Sequence, residues 1–205
     1  MSRNYCEQCK RPIDVCFCDS LITIKNKIPI HIIQHPSEQH HPFNTGRIAQ
    51  LCLENCRITV AEKLNDHVRR VLNNSNTLLL YPELDWLPKA FNDNASGDGL
   101  HLDPATKHLI VIDATWRKSK KILHLNPFLQ HLPRLSLRPA YESQYQIRHS
   151  SFKDSLSTIE SIALALEQLE PETNYKALLK PFQRMIELQT QFSNPKNRER
   201  KKNIN

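Results

Sequence analysis

Four short apolar runs set the fold class of this chain: IPIHIIQ at 28–34, TLLLY at 77–81, HLIVID at 108–113 and LPRLSL at 132–137. Each is too short for a buried helix and rich in β-branched or leucine side chains, so each reads as a strand. Helical patterns separate them. NTGRIAQLCLEN (44–55) places Ile48, Leu51 and Cys52 on one face, with Asn44 or Thr45 as cap. A stretch at about 62–73 carries Leu64, Val68, Val71 and Leu72, and WRKSKKILHL (116–125) reads as a basic helix. Two helices follow the last strand. The first, 158–169, opens with Ser157 and Glu160 in capping-box spacing and carries the stripe Ile159, Ile162, Ala163, Leu166, Leu169. The second, roughly 173–191, contains Pro181, a residue that can kink a helix. Strands alternating with helices imply an α/β domain with a mostly parallel sheet.

The two ends have a different texture. Residues 1–20 hold four of the six cysteines and almost no aliphatic core material, and the tail NPKNRERKKNIN is a charge run. The expected organisation is a small arm of four cysteines over 1–22, a main α/β body over 23–192 and a basic, disordered tail over 193–205. Residues 83–107, rich in Asp, Asn, Pro and Gly, read as a long loop. There is no internal repeat.

Glycine is scarce: only Gly46, Gly97 and Gly99. Neither a G-x-G-x-x-G dinucleotide loop nor a P-loop can be built from them, which argues against a Rossmann-type site and an NTPase. The net charge of +7 favours a polyanionic partner, with nucleic acid ahead of membrane. No segment approaches the roughly 18 apolar residues that span a bilayer, and the first residues do not read as a signal peptide. The expected compartment is the cytoplasm.

Cys6, Cys9, Cys16 and Cys18 form C-x-x-C, six residues, then C-x-C. Thiolates at these spacings can converge tetrahedrally on zinc; two disulfides, a redox pair or unrelated cysteines are the rival readings. Four thiolates leave no open position, so a zinc here is structural. Cys52 and Cys56 read as core residues on or near a helix face.

Polar segments follow every strand: HPSEQHHPFNTGR, PELDW, DATWRK and RPAYESQY. Ligands of parallel sheets bind outside the carboxyl ends of the strands, so the convergence points to a site there. Each piece also has a plainer reading. Asp113 or Thr115 can cap the following helix, His35, His40 and His41 read as solvated loop residues, Trp116 can be core, and Lys118, Lys120 and Lys121 can be a solvated face. No H-E-x-x-H motif and no legible Ser/His/Asp set is present.

These motifs, in this order, resemble the DTW-domain family, the tRNA-uridine aminocarboxypropyltransferases, over nearly the whole chain. The resemblance is carried by the cysteine cluster, Asn44-Thr45-Gly46-Arg47 after HPSE, and the LLLYP strand end. It continues through Asp113-Ala114-Thr115-Trp116, Leu132-Pro133-Arg134, Tyr145-Gln146-Ile147-Arg148 and Ser157-Thr158-Ile159-Glu160. Ala114 departs from the commonest form, which has Gly there, and leaves Asp113, Thr115 and Trp116 intact.

The resemblance implies a fold related to the knotted SPOUT methyltransferases, S-adenosylmethionine as donor, and transfer of its 3-amino-3-carboxypropyl group to the ring imide nitrogen of a tRNA uridine. Methylthioadenosine is then the leaving product. Asp113 becomes the expected proton acceptor, in a motif shared with Thr115, and Trp116 a wall for the cofactor or a platform for the base. Thr45, Leu80, Tyr81, Pro82 and Thr158 would border the cofactor. Arg47, Arg148, Lys118, Lys120 and Lys121 would hold RNA phosphates or the donor's carboxylate. The rivals are a SPOUT-like RNA methyltransferase and a zinc-bearing RNA-binding module without activity. The oligomeric state and the modified uridine stay open at this level.

Overall fold

HLIVID becomes β4 (His108–Asp113), which lies at the centre of a five-stranded sheet of order β2-β1-β4-β3-β5. This is a computed structural model, and it describes residues 4–73, 76–82, 84, 87, 108–137 and 156–193. The other strands are β1 (Ile30–Gln34), β2 (Cys56–Val60), β3 (Thr77–Leu80) and β5 (Arg134–Leu135). Every pairing is parallel. The helices are α1 (Thr45–Cys52), α2 (Asp66–Leu72), α3 (Trp116–Leu125), α4 (Thr158–Leu169) and α5 (Leu179–Ser193).

Both faces of the sheet are covered, as parallel sheets require. On one face Ile30, Ile32, Leu78, Leu80, Leu109 and Val111 pack with α1, α4 and α5. On the other, Ile33, Leu79 and Ile110 pack with Leu72 of α2 and with Ile122 and Leu123 of α3. Alternate residues of one strand thus enter different cores. Cys9 and Phe17 of the cysteine arm belong to the first core, together with Phe182 and Met185 of α5. No described helix is long and apolar enough to cross a membrane.

The caps follow the sequence closely. Asn44 Oδ1 accepts from Arg47 N at 3.0 Å to start α1, and Ser157 and Glu160 make a complete capping box on α4. Three expectations are corrected. Residues 56–60, absent from the expected strands, are the edge strand β2, and Cys56 opens it, half-buried against the first core. Its half-buried pattern lacks the solid apolar run that marks the inner strands. Pro181 produces no mid-helix kink. A 3-10 turn, Tyr175–Leu178, precedes α5 and leaves Pro181 in the first turn, where an absent N–H leaves no carbonyl unmatched. The LPRLSL strand shrinks to Arg134–Leu135.

One topological relationship positions the site. From β1 the chain leaves through α1 on the first face and returns as β2 at the sheet edge. From β4 it leaves through α3 on the second face and returns as β5 beyond β3. Neighbouring strands therefore send their connections in opposite directions, and such a reversal leaves a crevice outside their carboxyl ends. The last residues of these two strands are register partners, Gln34 and Asp113. The path from 138 to 155, which decides whether the chain is threaded, lies outside the described residues.

Candidate active site

Asp113 ends β4 on the face that holds Leu109 and Val111, so its side chain turns toward α1 and α4 and away from α3. It is 5% exposed. Oδ2 accepts from Gln34 Nε2 at 2.7 Å, and Oδ1 accepts from Thr158 Oγ1 at 2.7 Å. Thr158 is the first residue of α4, and the first turn of α1 lies on the other side of the carboxylate. A Cβ on Gly46 would stand 2.8 Å from Asp113 Oδ2 and 3.4 Å from its Cγ. Only glycine lets the helix come this close. Two helix N-termini, each the positive end of its dipole, thus flank one buried carboxylate. Gln34 completes the clamp. It is 2% exposed, and its Nε2 also donates to the α1 cap, Asn44 Oδ1, at 3.1 Å.

Asp113 is therefore no cap of α3. Thr115 occupies that position, is exposed, and makes no side-chain capping bond. Trp116, the first residue of α3, is 39% exposed. Its ring meets that of Tyr81 edge-on, with centroids 5.9 Å apart and planes at 74°. Tyr81 follows Leu80 at the end of β3. Its hydroxyl lies 2.8 Å from Ser119 Oγ, and burial pushes the phenol pKa up. The aromatic pair belongs to the second face and the carboxylate clamp to the first, so the two groups flank the carboxyl edge from opposite sides.

From Trp116, α3 runs across that edge. Lys118 reaches Ser37 and Glu38 after β1, and Lys121 Nζ lies 2.6 Å from Glu62 after β2. Asn126 at the helix end accepts from Leu64 N and donates to Glu62 O. His35 is built into the same wall and is 8% exposed, which corrects its reading as a solvated loop residue. Its Nδ1 accepts from Ser37 N, which leaves the ring proton on Nε2, 2.7 Å from Glu62 Oε1.

The structure thus brings Asp113, Thr158 and the first turn of α1, where Thr45 is buried, into one cluster. It brings Tyr81 and Trp116 together on the other face, with Pro82 half-buried after Tyr81, whereas Leu80 turns into the first core. The basic residues divide: Lys118 and Lys121 face glutamates, Lys120 is exposed, and Arg47 Nη1 donates to the Gln8 carbonyl at 3.5 Å. Arg148 lies outside the described residues. Sequence reasoning missed Gln34 and the role of Gly46. The available signal for Gln34 was a lone amide closing the apolar run IHIIQ.

In the N-terminal arm, the sulfurs of Cys6, Cys9, Cys16 and Cys18 all lie within 4.8 Å of one another. Cys6 and Cys18 are 3.6 Å apart, and Cys9 and Cys16 are 3.7 Å apart. A metal with four thiolate ligands at about 2.3 Å has sulfurs about 3.8 Å apart, so these separations fit a tetrahedral ion. They exceed the ~2.05 Å of a disulfide. The backbone N–H of Cys9, aided by that of Gln8, lowers the Cys6 thiol to about 6, whereas burial pushes Cys16 and Cys18 up. The cluster can hold a metal ion.

Comparison with known proteins gives a consistent picture. The DTW domain family model matches residues 3–190. A Drosophila melanogaster protein named tRNA-uridine aminocarboxypropyltransferase 2 is 33% identical over 197 residues, covering 91% of this chain and 75% of its own. A Macaca fascicularis protein of the same name is 32% identical, covering 92% and 64%. An Arabidopsis thaliana protein, tRNA-uridine aminocarboxypropyltransferase A, is 25% identical over 94% of this chain and 83% of its own. The chain therefore spans somewhat less than two thirds of the macaque relative and three quarters of the fly one. No solved structure matches it.

Proposed function

This chain belongs to the DTW domain family, and from that membership we infer that it is a tRNA-modifying transferase, the activity its relatives' names carry. The group moved is 3-amino-3-carboxypropyl and the acceptor is the ring imide nitrogen of a tRNA uridine. S-adenosylmethionine supplies the activated carbon and leaves as methylthioadenosine. The observation that carries this reading is the D-x-T-W strand end, where buried Asp113 sits at the reversal of the sheet between two helix N-termini.

The residues suit such a donor. A sulfonium nucleoside calls for a carboxylate near its positive charge and an aromatic face for its base. Asp113 supplies the first, and exposed Trp116, braced by Tyr81, supplies the second or stacks on the uridine. Thr45, Leu80, Tyr81, Pro82 and Thr158 border the donor. A uridine imide is protonated at neutral pH and a weak nucleophile until it loses that proton, and Asp113 is the acceptor. Orientation decides which carbon beside the sulfonium meets the nitrogen. Thr115, exposed beside Trp116, starts α3 through its carbonyl, which accepts from Ser119 N at 2.8 Å, and leaves its hydroxyl open to the substrate side.

Lys120 and Arg47 attract the RNA backbone, and Lys118 and Lys121 do so by exchanging their glutamates for phosphates. Arg148 is assigned the same role from its motif. The cysteine cluster holds a structural zinc, which suits a reducing, cytoplasmic setting. The test is incubation of the protein with bulk unmodified tRNA and S-adenosylmethionine, followed by mass analysis of the nucleosides. Aminocarboxypropyl-uridine with methylthioadenosine supports the reading. Methyl-uridine with S-adenosylhomocysteine makes the protein a methyltransferase, and no product with tRNA bound makes it a binder.

A further inference from the structure

Around Asp113, one contacting group differs from the rest. Gln34 is 2% exposed and Gly46 presents only a helix backbone. Thr158 is half-buried, and its hydroxyl touches Asp113 Oδ1 at 2.7 Å. Of these three residues, Thr158 is the one that is not fully buried. The capping box is complete without it: Ser157 Oγ serves Glu160 N, and the Glu160 carboxylate accepts from Ser157 N at 2.8 Å and from Ser157 Oγ at 2.7 Å. The Thr158 hydroxyl is spent on Asp113 instead.

Resting on the transferase reading above, we propose that Thr158 is a catalytic residue that carries the acceptor's proton to Asp113. The imide N–H bond breaks with its electron pair left on nitrogen, and the proton bonds Thr158 Oγ1. In the same step the original Thr158 proton leaves Oγ1 and bonds Asp113 Oδ1, turning the carboxylate into the acid. Thr158 ends as a hydroxyl, and Asp113 returns the proton to water after product departs. The 2.7 Å O···O distance is that of a short, charge-assisted bond, aligned for such a transfer. Gln34 is a positioning residue: by holding Oδ2 it keeps Oδ1 turned to Thr158.

The test uses the full-length protein with tRNA and S-adenosylmethionine, and reads single-turnover formation of methylthioadenosine. Thr158→Val keeps the shape and removes the hydroxyl; Thr158→Ser keeps the hydroxyl. Thr158→Val is expected to slow the transfer at least ~100-fold at saturating donor and tRNA, and Thr158→Ser to stay within about 5-fold. The parent should give a curved dependence of rate on deuterium fraction, as two protons move together. Thr158→Ala serves if the valine variant does not fold. Hydroxyl-free variants within about 3-fold of the parent, or a serine variant as slow as the valine one, overturn the relay while leaving the transferase reading intact. A parent protein that forms no methylthioadenosine overturns that reading itself.

Discussion

Gln34 and Asp113 close neighbouring parallel strands in register, and the amide of one donates to the carboxylate of the other at 2.7 Å. This contact makes the strand-end carboxylate separable from its hydrogen bonds. In Asp113→Asn the new amide oxygen can accept from Gln34, and the new NH2 can donate to the Thr158 oxygen. The bonds survive and the proton acceptor is lost. The expected outcome is a thermal midpoint within a few degrees of the parent and a transfer rate at least ~100-fold lower. Adding Gln34→Glu restores a carboxylate one strand away, where the side chain of residue 34 faces Asn44 Oδ1 and the position of Asp113 Oδ2 rather than the Thr158 hydroxyl. The double variant should stay inactive. Recovery of methylthioadenosine formation there would mean that a negative charge on either strand suffices, and the proton role would fall.

Gly46→Ala should be harmful for a reason opposite to helix propensity. In an ordinary helix the change favours the folded state by about 1 kcal/mol. Here the added Cβ would meet Asp113 Oδ2 at 2.8 Å, and that oxygen cannot swing away without losing Gln34. We expect a net stability loss on the order of 1 kcal/mol and at least a tenfold fall in transfer rate. Urea unfolding and single-turnover kinetics check the two parts. A more stable, fully active variant would show that the carboxylate is not held as described.

How much of this was legible in the sequence follows from what each signal depends on. β4, α3 and α4 match their sequence boundaries because solid apolar runs and a capping box are local, strong signals. β2 was invisible because an edge strand half-open to solvent has no such run. The cysteine cluster and Asp113 were found from spacing and from position after an apolar run. Gln34 and Gly46 were missed because their roles exist only across the sheet and against a helix. A register pair 79 positions apart and a Cβ clearance of 2.8 Å leave no pattern along the chain. The glutamate partners of Lys118 and Lys121 escaped for the same reason, which is why those lysines read as a free basic face.

His31 should make the fold sensitive to mild acid. It lies within β1, its Nε2 2.8 Å from Thr59 Oγ1. Burial, followed by the nearby His108 and Arg57, lowers its pKa from 6.5 to about 4. The unfolded chain thus takes up this proton below about 6.5 and the folded chain only near 4. Stability is unaffected above 6.5 and is lost as pH falls from 6.5 toward 4. With partial solvent screening the loss at pH 5 is on the order of 1 kcal/mol. His31→Gln can keep the bond to Thr59 and removes the titration. Urea unfolding at pH 7 and pH 5 should show the parent losing about 1 kcal/mol more than the variant. Equal losses would remove His31 as the cause.

Metal removal should loosen the C-terminal helix as well as the arm that holds the cysteines. The arm docks on α5 through its own side chains. Arg11 Nη2 donates to Gln189 Oε1 at 3.0 Å, Asp19 pairs with Arg184 at 3.5 Å, and Phe17, 1% exposed, shares a core with Phe182 and Met185. These contacts need the arm's two cysteine pairs to be held together, and thiols 3.6 to 3.7 Å apart without a metal provide only weak bonds. Metal analysis of the purified protein should give about one zinc per chain. Stripping it with a chelator should lower stability by roughly 3 kcal/mol or more, and Cys9→Ser should do the same without chelator. The diagnostic readout is hydrogen exchange. Amides around Phe182–Leu188 should exchange faster in the stripped protein, whereas those of β1 and β4 should change little. Loss of protection confined to residues 4–20 would mean that α5 stands without the arm.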